Sequence, residues 1–142
     1  MPPDSPHADS PLATKPLGAE ADATAPDGTA VRLLLSLSGG SMAHFELPAG
    51  AVSHAVTHRT VEEIWYMLSG QGRLWRRHGG TERIEALRPG TAVAIRLGTE
   101  FQFRAEAGAP LAFLAITMPP WPGVDEALPA AGPWTPTIPA GA

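Results

Sequence analysis

Cysteine is absent from this sequence of 142 residues. Its absence excludes a disulfide framework and a thiolate metal site, so any metal ion must be held by nitrogen and oxygen ligands. Charged residues make up only 17% of the chain and the net charge is -4. The basic surface of a nucleic-acid-binding protein is therefore missing, and we expect no nucleic-acid partner.

Long apolar runs are also missing from the sequence. No run approaches the ~18 residues of a membrane span. The N-terminus lacks the basic region and the apolar core that together form a secretory signal. We therefore expect a cytoplasmic protein that has no membrane partner.

Proline marks the edges of the single domain that a chain of this length allows. Only three of the 16 prolines lie within residues 29–118. Residues 1–28 contain almost no large apolar side chains and are predicted to be a disordered lead. Residues 119–142 are also rich in proline but carry Trp121 and Trp134, so we expect them to form an arm that lies on the domain surface.

Short apolar segments separated by glycine or proline fill residues 29–118. They predict roughly nine β-strands and no amphipathic helix, which is typical of an all-β sandwich or barrel. The strongest strand is predicted at Glu62–Ser69, and both of its faces are apolar beyond the first residue. A strand of this kind is covered on both sides, so we expect a homodimer partner or one of the arms on its outer face.

Two histidines precede this strand. Val52, His54, Val56 and His58 alternate with small polar or apolar residues, so on a strand both histidines would point to one face. A helix is the alternative, because His54, His58 and Glu62 follow the spacing of one helix face. The β-branched residues between them favour the strand.

The spacing of three residues in this stretch is similar to a motif of a known family. His58 is followed after four residues by Glu63, and Glu63 is followed after six residues by Gly70. This pattern resembles the first motif of the cupin family, in which a His-x-His pair precedes a glutamate and a glycine at these distances. Val56 stands in the place of the first histidine, and His54 lies two residues before it.

A second segment resembles the second cupin motif. Gly90 and Gly98 keep its frame, but Phe101 stands in the place of its histidine and Ala105 in the place of its asparagine. The resemblance covers about residues 31–118. It implies a small single-domain cupin, a jelly-roll β-barrel (double-stranded β-helix) that commonly forms homodimers.

The resemblance also implies a divalent metal ion inside the barrel, such as Fe, Zn, Mn or Ni. Only His58 and Glu63 match the ligands of the family, and they are also the candidate catalytic residues. His54 is a candidate displaced ligand, and Gln102 is a further candidate beside the lost histidine. Imidazole and carboxylate ligands suit these metals, and three protein ligands would leave open positions for a substrate. The two histidines could equally be polar residues at the barrel mouth.

Aromatic and other apolar side chains could line a pocket beside these ligands, although such residues first of all form the core. The candidates are Trp65, Met67, Trp75, Phe101 and Phe103.

Three functions remain open at this point. The first is a metal-dependent enzyme acting on a small organic molecule, as a dioxygenase, an isomerase or a cyclase. The second is a cupin that binds or senses a small ligand without catalysis, which the loss of the histidine at Phe101 favours. The third is a metal-free isomerase with His58 as the base near Glu63. Tyr66, the only tyrosine, falls on the opposite strand face from Glu63, which argues against its use as the acid of that isomerase.

Overall fold

A computed structural model describes residues 11–123 and 125–141 of the chain. Within these ranges the chain forms eleven strands: β1 (Ala23–Thr24), β2 (Ala30–Leu37), β3 (Gly40–Leu47), β4 (Val56–His58), β5 (Glu62–Ser69), β6 (Gly72–His78), β7 (Thr81–Leu87), β8 (Ala92–Ile95), β9 (Glu100–Ala105), β10 (Leu111–Met118) and β11 (Ala127–Pro129). None of these residues belongs to a helix long and apolar enough to cross a membrane.

The strands form two antiparallel sheets. The first sheet has the order β1-β2-β3-β10-β5-β8, and the second sheet has the order β11-β4-β9-β6-β7. Strands that are neighbours in a sheet are often distant in sequence, since β10 lies between β3 and β5. This wrapping of two sheets around one interior is a jelly roll, and it confirms the predicted all-β class.

Aromatic side chains pack against one another in the interior of the barrel. On β5, Trp65 and Met67 are buried while Ile64 and Tyr66 are half exposed, because successive side chains on a strand point to opposite faces. Trp65 stacks on Phe113 with 4.3 Å between the ring centroids. The first sheet therefore turns one apolar face towards the second sheet and the other away from the barrel.

The lead is more ordered than its composition suggested. β1 pairs with β2, and the backbone amide of Leu33 donates to Asp22 Oδ2. The Arg32 guanidinium donates to the carbonyls of Gly18 and Ala19 over 2.9 and 3.1 Å. These bonds correct the expectation of disorder over residues 18–28, since side chains of the lead and the barrel satisfy the backbone there. Residues 1–10 lie outside the described part of the chain.

The arm lies against the second sheet. β11 pairs with β4, and the backbone of Trp134 bonds to the side-chain amide of Gln102, donating over 3.1 Å and accepting over 2.8 Å. The amide of Thr137 donates to the carbonyl of Val52. The arm therefore forms hydrogen bonds both with Gln102 and with Val52, which lies in the segment that leads into β4.

That segment is less regular than the alternation predicted. Only residues 56–58 form a strand, while Val52 makes an isolated bridge to Arg104. The amide of His54 donates to the carbonyl of Asp27 in the lead. Because residues 52–55 bond to the lead and the arm as well as to the sheet, they do not continue the strand, and the predicted alternation of the histidines is corrected there.

The turn between β5 and β6 depends on Gly70, whose φ is +77°. A Cβ atom at this position would overlap the backbone carbonyl of Pro110. We expect Gly70→Ala to lower the free energy of unfolding by about 2–4 kcal/mol, since both the positive φ and the overlap oppose a side chain. Gly79→Ala is the matched control, because Gly79 also has a positive φ but has open space around it, and it should cost only about 1 kcal/mol. Equal losses in urea denaturation would contradict the packing argument.

Candidate functional site

A central cavity of about 670 Å³ opens between the two sheets. Its walls are mainly apolar, and its polar groups include the side chains of Asp27, His58 and Glu63. Aromatic rings from both sheets and from the arm surround it, namely Phe45, Trp65, Phe101, Phe113 and Trp121. An apolar space with a few converging polar groups is the usual form of a small-molecule site.

His58 and Glu63 form the polar centre of this cavity. His58 ends β4 and Glu63 lies near the start of β5, and their side chains are only 6% and 5% exposed. His58 Nδ1 lies 3.3 Å from Glu63 Oε2. The angles of this contact are not those of a hydrogen bond, so the buried Nδ1 atom has no hydrogen-bond partner among the described residues.

The imidazole of His58 is held by two aromatic rings. Phe101 and Trp121 meet it nearly edge to face, with centroid distances of 5.3 and 5.2 Å. None of the hydrogen bonds among the described residues involves Nε2 of His58, whereas Nδ1 lies beside Glu63. One nitrogen therefore faces Glu63, and the other is available to a molecule in the cavity.

Glu63 is fixed by a neighbour on its own strand. Trp65 Nε1 donates to Glu63 Oε1 over 2.6 Å. The two residues are two positions apart, so both side chains point into the barrel. This bond occupies one carboxyl oxygen and leaves the other facing His58.

Burial shifts the pKa values of this pair towards their neutral forms. Loss of solvation lowers the pKa of His58 to about 4, although the nearby charge of Glu126 acts in the opposite direction. Loss of solvation raises the pKa of Glu63 to about 8. The Trp65 hydrogen bond opposes that rise, while Asp27 and Glu126 add to it. Near pH 7 the pair therefore consists mainly of a neutral imidazole and a protonated carboxyl group.

Asp27 is a site residue that the sequence did not reveal, because it lies in the predicted lead. Its Oδ1 accepts bonds from the amide and the hydroxyl of Thr29 over 3.0 and 2.6 Å. Burial raises its pKa, although the bonds from Thr29 act against the rise. The Asp-Gly-Thr sequence is a turn signal that could have pointed to an ordered position here.

Glu126 has a different role, in holding the arm. Its carboxylate accepts bonds from the amides of Thr60 and Val61 over 2.7 and 3.0 Å and from the Thr60 hydroxyl over 2.5 Å. Burial alone would raise its pKa, but these bonds outweigh burial and leave the pKa below its usual value. This carboxylate is charged and already bonded, so it clamps the arm beside the cavity.

The expected metal ligands do not come together as a set. His54 Nε2 lies 2.6 Å from the carbonyl oxygen of Ile138, and this histidine lines a separate space beneath the arm. The amide of Gln102 is used for the backbone of Ser53 and Trp134. No group of three or more histidine, aspartate or glutamate side chains in the described ranges is placed to hold a metal ion.

Two apolar residues occupy the remaining positions of the expected metal centre. Val56 and Phe101 stand where the family has histidines, and they are direct partners across β4 and β9. His58 and Glu63 alone would supply two ligands, fewer than the three or four of most resident zinc or iron sites. These residues do not fit a tightly held divalent ion.

The predicted pocket residues divide into two groups. Trp65 and Phe101 line the central cavity. Met67 and Phe103 are instead packed into the core and do not line it. Trp75 lies opposite Gln102, on the sheet face away from the cavity, and its Nε1 donates to Glu82 over 2.6 Å. The prediction is therefore corrected for these three residues.

The two-sheet jelly roll with a cavity between its sheets defines a class of β-barrel proteins. Within that class, residues 43–117 match the model of the Cupin domain family. The match spans more than half of the chain, so this protein belongs to the cupin family. Among curated proteins, none matches the sequence of this chain.

Solved structures share the fold at low sequence identity. A conserved protein from Klebsiella pneumoniae with a double-stranded β-helix domain is 15% identical, with a TM-score of 0.59 over 84% of this chain and 91% of the other. A predicted oxalate decarboxylase from Thermotoga maritima is 19% identical, with a TM-score of 0.58 over 70% and 91%. The capsular polysaccharide assembling protein CapF from Staphylococcus aureus is 14% identical, with a TM-score of 0.65 over 81% of this chain but only 34% of CapF. At these identities the similarity shows the fold alone.

Proposed function

We propose that this cupin binds a small, largely apolar organic molecule in the central cavity and moves a proton on it with the His58–Glu63 pair. The observation that carries the proposal is the buried contact of 3.3 Å between His58 Nδ1 and Glu63 Oε2 inside an aromatic cavity. Burial of an imidazole and a carboxyl group that face each other is a common way in which the pKa values of general acids and bases are shifted.

The substrate class that fits this pair is a carbonyl compound with a proton on the neighbouring carbon. In the reactive form of the pair, Glu63 is an ionised carboxylate and His58 is a neutral imidazole that carries its one proton on Nδ1. His58 Nε2 takes the proton from carbon, and the Nδ1 proton passes to Glu63 Oε2 once the imidazole turns to align this 3.3 Å contact as a hydrogen bond. The substrate becomes an enolate and the pair becomes neutral. Reversal of these transfers at the same or another carbon gives exchange or isomerisation, with no net oxidation.

The raised pKa of Glu63 supports this role, because a carboxylate with a pKa of about 8 is a stronger base than an ordinary one. The aromatic walls supply apolar contact and exclude water from the charged intermediate. An Fe, Zn, Mn or Ni ion would find only His58 and Glu63 as protein ligands here, so it has no part in the proposed chemistry.

Deuterium exchange tests the proposal directly. We expect the purified protein to speed the exchange of the protons beside the carbonyl of 4-phenylbutan-2-one in D2O, followed by proton NMR. The rate should increase with pH and level off above an apparent pKa near 8, which belongs to the pair as a unit. Binding without any faster exchange would favour the non-catalytic ligand-binding function, and no binding would contradict the proposal.

We also propose that the protein forms a homodimer through the outer face of the first sheet. Ile64 and Tyr66 are 50% exposed and Leu68 is 41% exposed, all on the outer face of β5. Leu114 and Ile116 of β10 are their cross-strand neighbours and continue this apolar surface. A second copy can cover it, because a two-fold interface places the same patch on both subunits.

Ile64→Glu should weaken this dimer at least about tenfold, since it would bury a charge within the patch. Ile84→Glu is the matched control, because Ile84 is 51% exposed but lies on β7 in the second sheet. Sedimentation equilibrium measures both variants. A monomeric wild-type protein at all concentrations, or equal dissociation of the two variants, would contradict the proposed interface.

A further inference from the structure

Lys15 is a cation at the edge of the central cavity, in the segment that the sequence assigned to a disordered lead. It is the only lysine in the chain. Its side chain lines the same cavity as His58 and Glu63. Lys15 is half-buried, while Thr14 and Pro16 on either side of it are exposed. These exposures place Lys15 at the rim, whereas the His58–Glu63 pair lies at the buried end.

The lead is anchored shortly after Lys15. The Arg32 guanidinium bonds to the carbonyls of Gly18 and Ala19, and it also pairs with Glu46 over 3.0 Å. The amide of Asp22 donates to the carbonyl of Val31 over 2.8 Å. These bonds tie the lead to β2 and hold Lys15 near the opening of the barrel.

Within the described part of the chain, no ion pair uses the charge of Lys15. The ion pairs of the described residues join Arg32 to Glu46, Arg76 to Glu85 and Arg77 to Glu100, and none includes Lys15. An ammonium group beside an apolar cavity attracts a ligand that has an apolar part and a negatively charged group. The apolar part can enter the cavity while the charged group stays beside the ammonium. Burial raises the pKa values of Asp27 and Glu63, which reduces the negative charge that such an anion would meet.

We propose that Lys15 selects a substrate that is an apolar monocarboxylate, with its carboxylate at the rim beside Lys15 and its carbonyl group at the His58–Glu63 pair. A single lysine balances one negative charge. A phosphate dianion would bring a second charge without a partner among the described cavity residues, which is costly next to apolar walls. This inference rests on the proposed function and adds the class of substrate to it.

A matched pair of probes tests the inference. The probes are 4-(3-oxobutyl)benzoate and 4-(3-oxobutyl)benzamide, which share the ketone and the ring and differ in charge. Isothermal titration calorimetry should show the benzoate bound roughly 3- to 10-fold more tightly by the wild-type protein, the range of a partly exposed ion pair. Lys15→Met should reduce this preference to less than about twofold, and Lys15→Arg should retain most of it.

Arg96→Met is the control for net charge, because Arg96 is exposed and does not line the cavity. It should keep the full preference of the wild-type protein for the benzoate. If Lys15→Met keeps that preference, or if the wild-type protein binds both probes equally, the inference is wrong while the proposed function stands. If neither probe binds, the proposed function fails together with the inference.

Discussion

Replacing His58 with alanine should lower the rate of deuterium exchange on 4-phenylbutan-2-one by about 10²- to 10⁴-fold, the usual effect of removing a general base. The loss should appear mainly in kcat. His58 contributes one ring to a cavity that has five other aromatic rings, so KM should change little. Comparison of kcat and KM between the wild-type and variant proteins checks both expectations.

His44→Ala is the matched control for this variant. His44 is also buried, at 7% exposure, and its Nδ1 also lacks a hydrogen-bond partner among the described residues. It lies opposite Leu114, on the outer face of the first sheet. It should therefore leave the exchange rate within about threefold of the wild-type rate, because it removes a buried imidazole without touching the cavity. Similar losses in both variants would indicate a structural effect and contradict the role of His58.

The stability of the protein should decrease as the pH rises from 6.5 to 8. The pKa of Glu63 is about 8 in the folded protein, against an ordinary value of 4.5. The unfolded chain therefore binds fewer protons than the folded chain throughout this interval, and folding stability is lost as the pH approaches the folded value. The expected loss is about 2 kcal/mol over these 1.5 pH units.

His58 acts in the opposite direction, but only at lower pH. Its pKa falls from 6.5 to about 4 on folding, so its contribution is complete above pH 6.5 and is lost as the pH falls towards 4. Between pH 4.5 and 6.5 the two groups offset each other. Above pH 6.5 the contribution of Glu63 is unopposed by His58.

Urea denaturation at a series of pH values measures this effect. Glu63→Gln removes the titrating group but keeps its shape, so the decrease in stability between pH 6.5 and 8 should disappear in that variant. An equal decrease in both proteins would show that another group is responsible. The first groups to examine would then be Asp27 and Glu126, the other carboxyl groups that interact with Glu63.

The fold could be predicted from the sequence because its signals are local. Glycine and proline separate short apolar segments, and the spacing from Glu63 to Gly70 follows from a strand that ends in a tight turn at Gly70. The alternation of Trp65 and Met67 with Ile64 and Tyr66 also predicted two apolar faces of this strand, and the structure shows that Trp65 and Met67 lie on the buried face.

The site could be predicted only where its residues belong to the barrel. His58 and Glu63 were found from their spacing, and the structure places them 3.3 Å apart. Asp27 and Lys15 were missed because a polar, proline-rich lead has no periodicity, and its position depends on bonds to distant residues such as Arg32. His54 was misplaced for the same reason, since the lead and the arm determine the path of its backbone.

The most direct test of the central claim is a pH titration of the Glu63 carboxyl carbon by carbon-13 NMR, with the signal assigned by comparison with Glu63→Gln. The account predicts that this carboxyl group keeps its proton through neutral pH and titrates with a pKa of about 8. A midpoint near 4.5, the ordinary value for glutamate, would show an ionised and solvated carboxylate. It would contradict the buried proton-transfer pair on which the proposed function depends.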